Sequence, residues 1–157
     1  MFCNLCPRNC NAERTEYAGK GFCKMPENPV LARADIHKWE EPCISGTNGT
    51  GAIFFSGCSL KCCFCQNYPI SHENKGEAIT TARLIEIIKE LENRGVHTID
   101  FVNPTHFSHI IIEALSEYKP KVPVVYNSSG YDSVETLKKF EGLIDVYLPD
   151  LKYFSSE

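Results

Sequence analysis

Four short apolar runs separated by stretches of helical periodicity constrain this 157-residue chain more than any other feature. The first, Ala52-Ile53-Phe54-Phe55, has the character of a buried strand and stops at Ser56-Gly57. From Thr80 the pattern changes: Leu84, Ile87, Ile88 and Leu91 recur at helical spacing, Thr80 or Thr81 can cap the start, and Gly95 lies just past the end. A strand over Thr98–Val102, a helix over Ser108–Tyr118 and a strand over Val122–Tyr126 follow, then a helix capped by Asp132 or Ser133 and a strand over Ile144–Leu148. This alternation predicts an α/β fold of about four parallel strands joined by right-handed crossovers. Reactive side chains then gather at the carboxyl ends of the strands, here 56–66, 103–107, 127–131 and 149–153.

A hydrophobic share of 43% is enough for one globular core. The net charge of −4 and the lack of any Lys/Arg run argue against nucleic acid as a partner. The leading residues Met1-Phe2-Cys3-Asn4 lack the apolar core of a signal peptide, and no segment approaches the ~18 apolar residues that span a bilayer. No membrane partner and a cytoplasmic location are therefore expected. In a reducing compartment, nine cysteines point to metal or redox chemistry, and an odd number cannot all pair as disulfides.

The cysteines divide the chain into a Cys-rich leading stretch, residues 1–48, and a strand-helix portion, residues 49–157. In the second portion, Cys58-x3-Cys62-x2-Cys65 places three thiols within eight residues on the loop after the first strand. Three cysteines are one too few for a four-iron cluster, so one iron would stay open to a cofactor or substrate. Cys63 adds nothing to this spacing and is expected to face away.

The strand, Gly57, the three-cysteine spacing and the aromatic Phe64 before the last cysteine resemble the radical S-adenosylmethionine (SAM) superfamily. The resemblance implies a 4Fe–4S cluster on Cys58, Cys62 and Cys65, with SAM chelated at the open iron. It also implies one-electron cleavage of SAM to methionine and a hydrogen-abstracting 5′-deoxyadenosyl radical. Trp39-Glu40-Glu41-Pro42-Cys43, Cys65-Gln66-Asn67-Tyr68, Asn103-Pro104-Thr105-His106 and Tyr126-Asn127-Ser128-Ser129-Gly130-Tyr131 further resemble uncharacterised homologues of pyruvate formate-lyase activating enzyme.

That resemblance implies a partial (β/α) barrel of about six strands, so a chain ending soon after its fourth strand is expected to be truncated. It places Gly57, Phe64, Asn103, Thr105 and His106 at the cofactor, together with Asn127, Ser129, Asp150 and Lys152. Lys152 suits the SAM carboxylate, and Asp150 its ammonium or sulfonium side. Asn127 and Ser129 read equally as turn residues, and His106 equally as a solvent-facing first-turn residue.

Cys3, Cys6, Cys10 and Cys23 have metal-like spacing, and four soft ligands suit zinc or an auxiliary iron–sulfur cluster. Cys43, alone in Glu41-Pro42-Cys43-Ile44, is expected to be buried and inert. The function expected is a radical SAM oxidoreductase drawing electrons from a flavodoxin or ferredoxin, with a glycyl radical enzyme as candidate partner. The contrasting readings are a non-catalytic zinc-binding module and an inactive truncated fragment.

Overall fold

The computed structural model describes residues 1–152. Its central strand is β4 (Thr50–Phe55), in which Thr50, Gly51, Ala52, Ile53 and Phe55 are buried and Phe54 partly so. A run with so little polar character must be covered on both faces, as strands of parallel sheets are. β6 (Ile99–Val102), β7 (Val124–Ser128) and β8 (Val146–Pro149) follow it in order, each parallel to the last. Three crossovers enforce that direction: α3 (Thr81–Asn93), α4 (Ser108–Glu117) and α5 (Val134–Lys138). Short helical turns α1 (Pro42–Ser45) and α2 (Tyr68–Ser71) flank β4 in sequence.

On the side of β4 away from β6 the sheet gains two strands that the apolar pattern did not predict. β3 (Val30–His37) pairs antiparallel with β4, and β5 (Glu77–Ala78) pairs antiparallel with β3, giving the order β5-β3-β4-β6-β7-β8. β3 lies within the Cys-rich leading stretch. It is mostly half-buried, and a bulge between Leu31 and Arg33 breaks its register, so no strict alternation marks it. A separate ribbon, β1 (Phe2–Cys3) with β2 (Ala12–Glu13), stands at the start of the chain.

Helix α3 forms where its periodicity predicts: the Thr80 side chain accepts from Arg83 N at 3.1 Å, and Leu84, Ile85, Ile87, Ile88 and Leu91 are buried. Gly95 follows with φ +78° and open space around the position of a Cβ, so backbone conformation rather than crowding calls for glycine there. Phe55 packs in tilted ring contacts against Phe101 and Phe107 at centroid distances of 6.1 and 5.7 Å, tying β4 and β6 to the helical layer.

Two sequence expectations shift. Pro123 cannot donate to a ladder, so β7 begins after it and runs on through Asn127 and Ser128, which look like turn formers. Cys43 is exposed rather than buried, because α1 turns Ile44 and Ser45 inward instead. Ser133, not Asp132, caps α5, its side chain accepting from Thr136 N.

Candidate active site

At the end of β4 the chain turns on Gly57, whose φ is +78°. A Cβ there would lie 2.5 Å from Met25 Cγ and 2.9 Å from its sulfur, so glycine is required twice, for conformation and for space. Gly57→Ala is expected to cost about 2 kcal/mol of stability, with part recovered by adding Met25→Ala. Denaturant unfolding of the single and double variants checks this; a Gly57→Ala midpoint equal to the parent's would refute it.

Cys58 is buried, and its Sγ accepts from Leu60 N at 3.3 Å and Lys61 N at 3.5 Å. The thiol in turn donates to Asn103 Oδ1 at 3.8 Å. Ser71 Oγ lies 3.2 Å from Cys65 Sγ and 2.8 Å from His72 Nδ1. His72 Nε2 donates to Lys61 O at 3.2 Å, and its ring stacks on Tyr68 at 4.2 Å. The loop is thus closed on itself by α2 and His72. The sequence reading missed Ser71 and His72, although Tyr68 and His72 have the i, i+4 spacing of one helical face.

Cys58, Cys62 and Cys65 line one cavity of about 400 Å³, within the usual range for small-molecule sites. Phe64, 59% exposed, stands on its rim. The carboxyl ends of β6, β7 and β8 supply the opposite wall through Asn103, Asn127, Ser129, Asp150 and Lys152. Asp150 and Lys152 form an ion pair there. Asn103, at φ +56°, also braces the loop: its Nδ2 donates to Gly57 O at 2.8 Å, and its backbone N to Asn127 O at 2.8 Å.

Thr105 and His106 are not brought to the cavity. Thr105 Oγ1 donates to Asp132 at 2.7 Å from a fully buried position. His106, 1% exposed rather than facing solvent, donates from Nε2 to Ser56 O at 2.7 Å, leaving Nδ1 without a partner. Burial lowers its pKa to about 3, so the ring is neutral. Both residues support the loops from behind.

Two carboxylates escaped the sequence reading as site elements. Asp132 accepts from Thr105 Oγ1, Tyr126 OH and Ser128 Oγ, joining the β6 and β7 loops. Asp100, fully buried, accepts from Asn127 Nδ2 at 3.3 Å, and its Oδ1 has no partner. Desolvation raises its pKa to about 7 against the lowering effect of that hydrogen bond. Single aspartates in polar loops and strands carry no local pattern that marks such roles.

Among the described residues, no three His, Cys, Asp or Glu side chains are grouped to hold a single metal ion. A four-iron cluster asks for something else, a separate thiolate at each of three corners. Three cysteines spaced along one loop and lining one cavity fit that donor set.

Parallel strands, a thiol-bearing loop after the first of them and a cavity at their carboxyl ends define a cofactor-dependent α/β class. The family model of the radical SAM superfamily matches residues 52–157, and the chain belongs to that superfamily, whose members normally bind a 4Fe–4S cluster and SAM. It is 32% identical over 165 residues to the uncharacterised protein MJ0674 of Methanocaldococcus jannaschii, a match covering 99% of this chain and 46% of the relative. The chain therefore spans about half the length of that relative. No solved structure matches the chain significantly. Among the described residues no helix is long and apolar enough to cross a membrane.

Proposed function

We propose that Cys58, Cys62 and Cys65 hold a 4Fe–4S cluster and that SAM occupies the rest of the same cavity, in a half-barrel of (β/α) units. The observation that carries this reading is that the three thiols share one cavity with the strand-end residues Asn103, Asn127, Ser129, Asp150 and Lys152. When bound, the two cofactors supply one-electron cleavage of the sulfonium and a radical able to abstract hydrogen. This chain's own residues bind and orient. Lys152 meets the SAM carboxylate, Asp150 its positively charged side, and Asn127 and Ser129 offer donors and acceptors to the nucleoside. Leu60 N and Lys61 N place two donors on Cys58 Sγ. Phe64 shields the open side of the loop.

The likeness of the loop sequences to pyruvate formate-lyase activating enzyme favours a glycyl radical enzyme as the partner. A cytoplasmic flavodoxin or ferredoxin is the matching electron donor.

The test is electron paramagnetic resonance on chain purified without oxygen, reconstituted with iron and sulfide, reduced, and measured with and without SAM. A reduced-cluster signal that shifts on adding SAM, and that is lost in the Cys58→Ala, Cys62→Ala, Cys65→Ala triple variant, is the expected result. A cluster that forms equally in the triple variant, or zinc in its place, would overturn the reading.

A further inference from the structure

Four thiols outside this cavity share a second one. Cys3, Cys6, Cys10 and Cys23 all line a cavity of about 10 Å³, roughly one water-sized sphere. Cys3, Cys6 and Cys23 are buried, and only Cys10 is exposed. Cys3 comes from β1, and the backbone delivers the others at two tight turns, one closed by Asn9 N donating to Cys6 O at 3.1 Å and the other by Lys24 N donating to Gly21 O at 2.9 Å. The turns abut: a Cβ on Gly21 would lie 3.7 Å from Cys10 Cβ and 3.8 Å from its sulfur.

Charge supplies the independent observation. Arg14 is only 3% exposed, yet its guanidinium donates to His106 O at 2.6 Å and to Cys23 Sγ at 3.2 Å, with no carboxylate among its hydrogen-bond or ion-pair partners in the described residues. A buried cation without an anion is strongly disfavoured, and His106, neutral and already bound to Ser56 O, supplies none. Arg8 lines the same cavity, its guanidinium 3.7 Å from the Phe22 ring centroid. Neutral thiols would leave the buried Arg14 uncompensated, whereas four thiolates around one divalent ion carry a net negative charge.

We propose that Cys3, Cys6, Cys10 and Cys23 hold one structural zinc ion as an anionic tetrathiolate, which neutralises Arg14 and fixes Arg8 against the 58–65 loop. As the side chains stand, no three of these thiols form a group that holds an ion. Metal capture therefore turns the four thiols onto the ion by side-chain rotation and releases the thiol protons. The link to the loop is direct, since Arg8 Nε donates to Ser59 O at 2.7 Å, one residue after Cys58. The zinc site acts as a clasp on the back of the cysteine loop and does not depend on whether that loop carries a cluster.

The experiment uses the full chain with Cys58→Ala, Cys62→Ala and Cys65→Ala, which removes three of the four loop thiols and leaves Cys43, Cys63 and the four N-terminal ones intact. One zinc per chain is expected by elemental analysis. Cobalt(II) in its place should give the thiolate charge-transfer and tetrahedral d–d absorption of a four-sulfur site, both lost on further Cys6→Ser. No zinc and no such cobalt spectrum would overturn the proposal, as would iron with sulfide in the triple variant. In the unmutated chain, removing zinc with a chelator is expected to speed amide exchange at Ser59–Lys61 on the order of tenfold. Unchanged exchange there would overturn the clasp.

Discussion

Asp132→Ala is expected to lower the unfolding free energy by about 3 kcal/mol. Its carboxylate accepts from Thr105 Oγ1 at 2.7 Å, Tyr126 OH at 2.9 Å and Ser128 Oγ at 2.5 Å, and all three donor residues are buried. A hydrogen bond to a charged acceptor contributes ~1.5–3 kcal/mol, and a buried hydroxyl left without one adds a desolvation cost. The three bonds share one acceptor that is itself partly exposed, so their effects do not add fully. Asp132→Asn keeps one acceptor oxygen and should fall between variant and parent. Urea unfolding followed by circular dichroism checks both; a loss under about 1 kcal/mol for alanine would show that the three hydroxyls find other partners. The 127–131 loop should also loosen, so that, on the proposed function, SAM affinity drops while cluster content holds.

Asp100→Asn should have the opposite sign. In the folded chain burial holds the Asp100 pKa at about 7, against an ordinary value of 3.8. The protonated form is thus favoured in the fold: that stabilisation is complete below the ordinary value and is lost as pH rises through about 7. Three units correspond to roughly 4 kcal/mol as an upper figure. The Asn variant, similar in shape and never ionised, should match the parent near pH 4 and exceed it by up to that amount at pH 8. His106 and His109, held near 3 and 4 by burial, work the other way, losing stability as pH falls below 6.5, but they are common to both proteins and cancel in the difference. Parallel unfolding curves from pH 4 to 8 decide it; a difference that does not grow with pH would mean Asp100 ionises normally.

Local signals made the parallel half of the sheet legible. Thr80, the Leu84-to-Leu91 periodicity and Gly95 delimit α3 because cap, stripe and stop agree. The placing of three cysteines on one loop after β4 was readable for a similar reason, since that spacing is itself local. β3 was not, because its alternation is broken by a bulge and blurred by half-burial. Asn127 and Ser128 looked like loop because their composition is that of turns, while pairing with β6 and β8 makes them strand. Asn103, Thr105 and His106 sit within four residues, yet Asn103 faces the cavity while the other two face inward. A 3₁₀ turn over Thr105–Phe107 sets that difference, and no residue type announces it.

The contact between Met25 and Gly57 bears on how this protein ages in air. Met25 is 3% exposed, and its thioether fills the space a side chain at Gly57 would take. Oxidation to the sulfoxide would bring a polar oxygen into that packing, directly under the first thiol of the loop. So long as the loop stays shut, the sulfur is protected. Once the loop opens, the damage prevents it from closing properly again, so a brief opening in oxygen leaves a lasting chemical mark on a residue far from the loop in sequence.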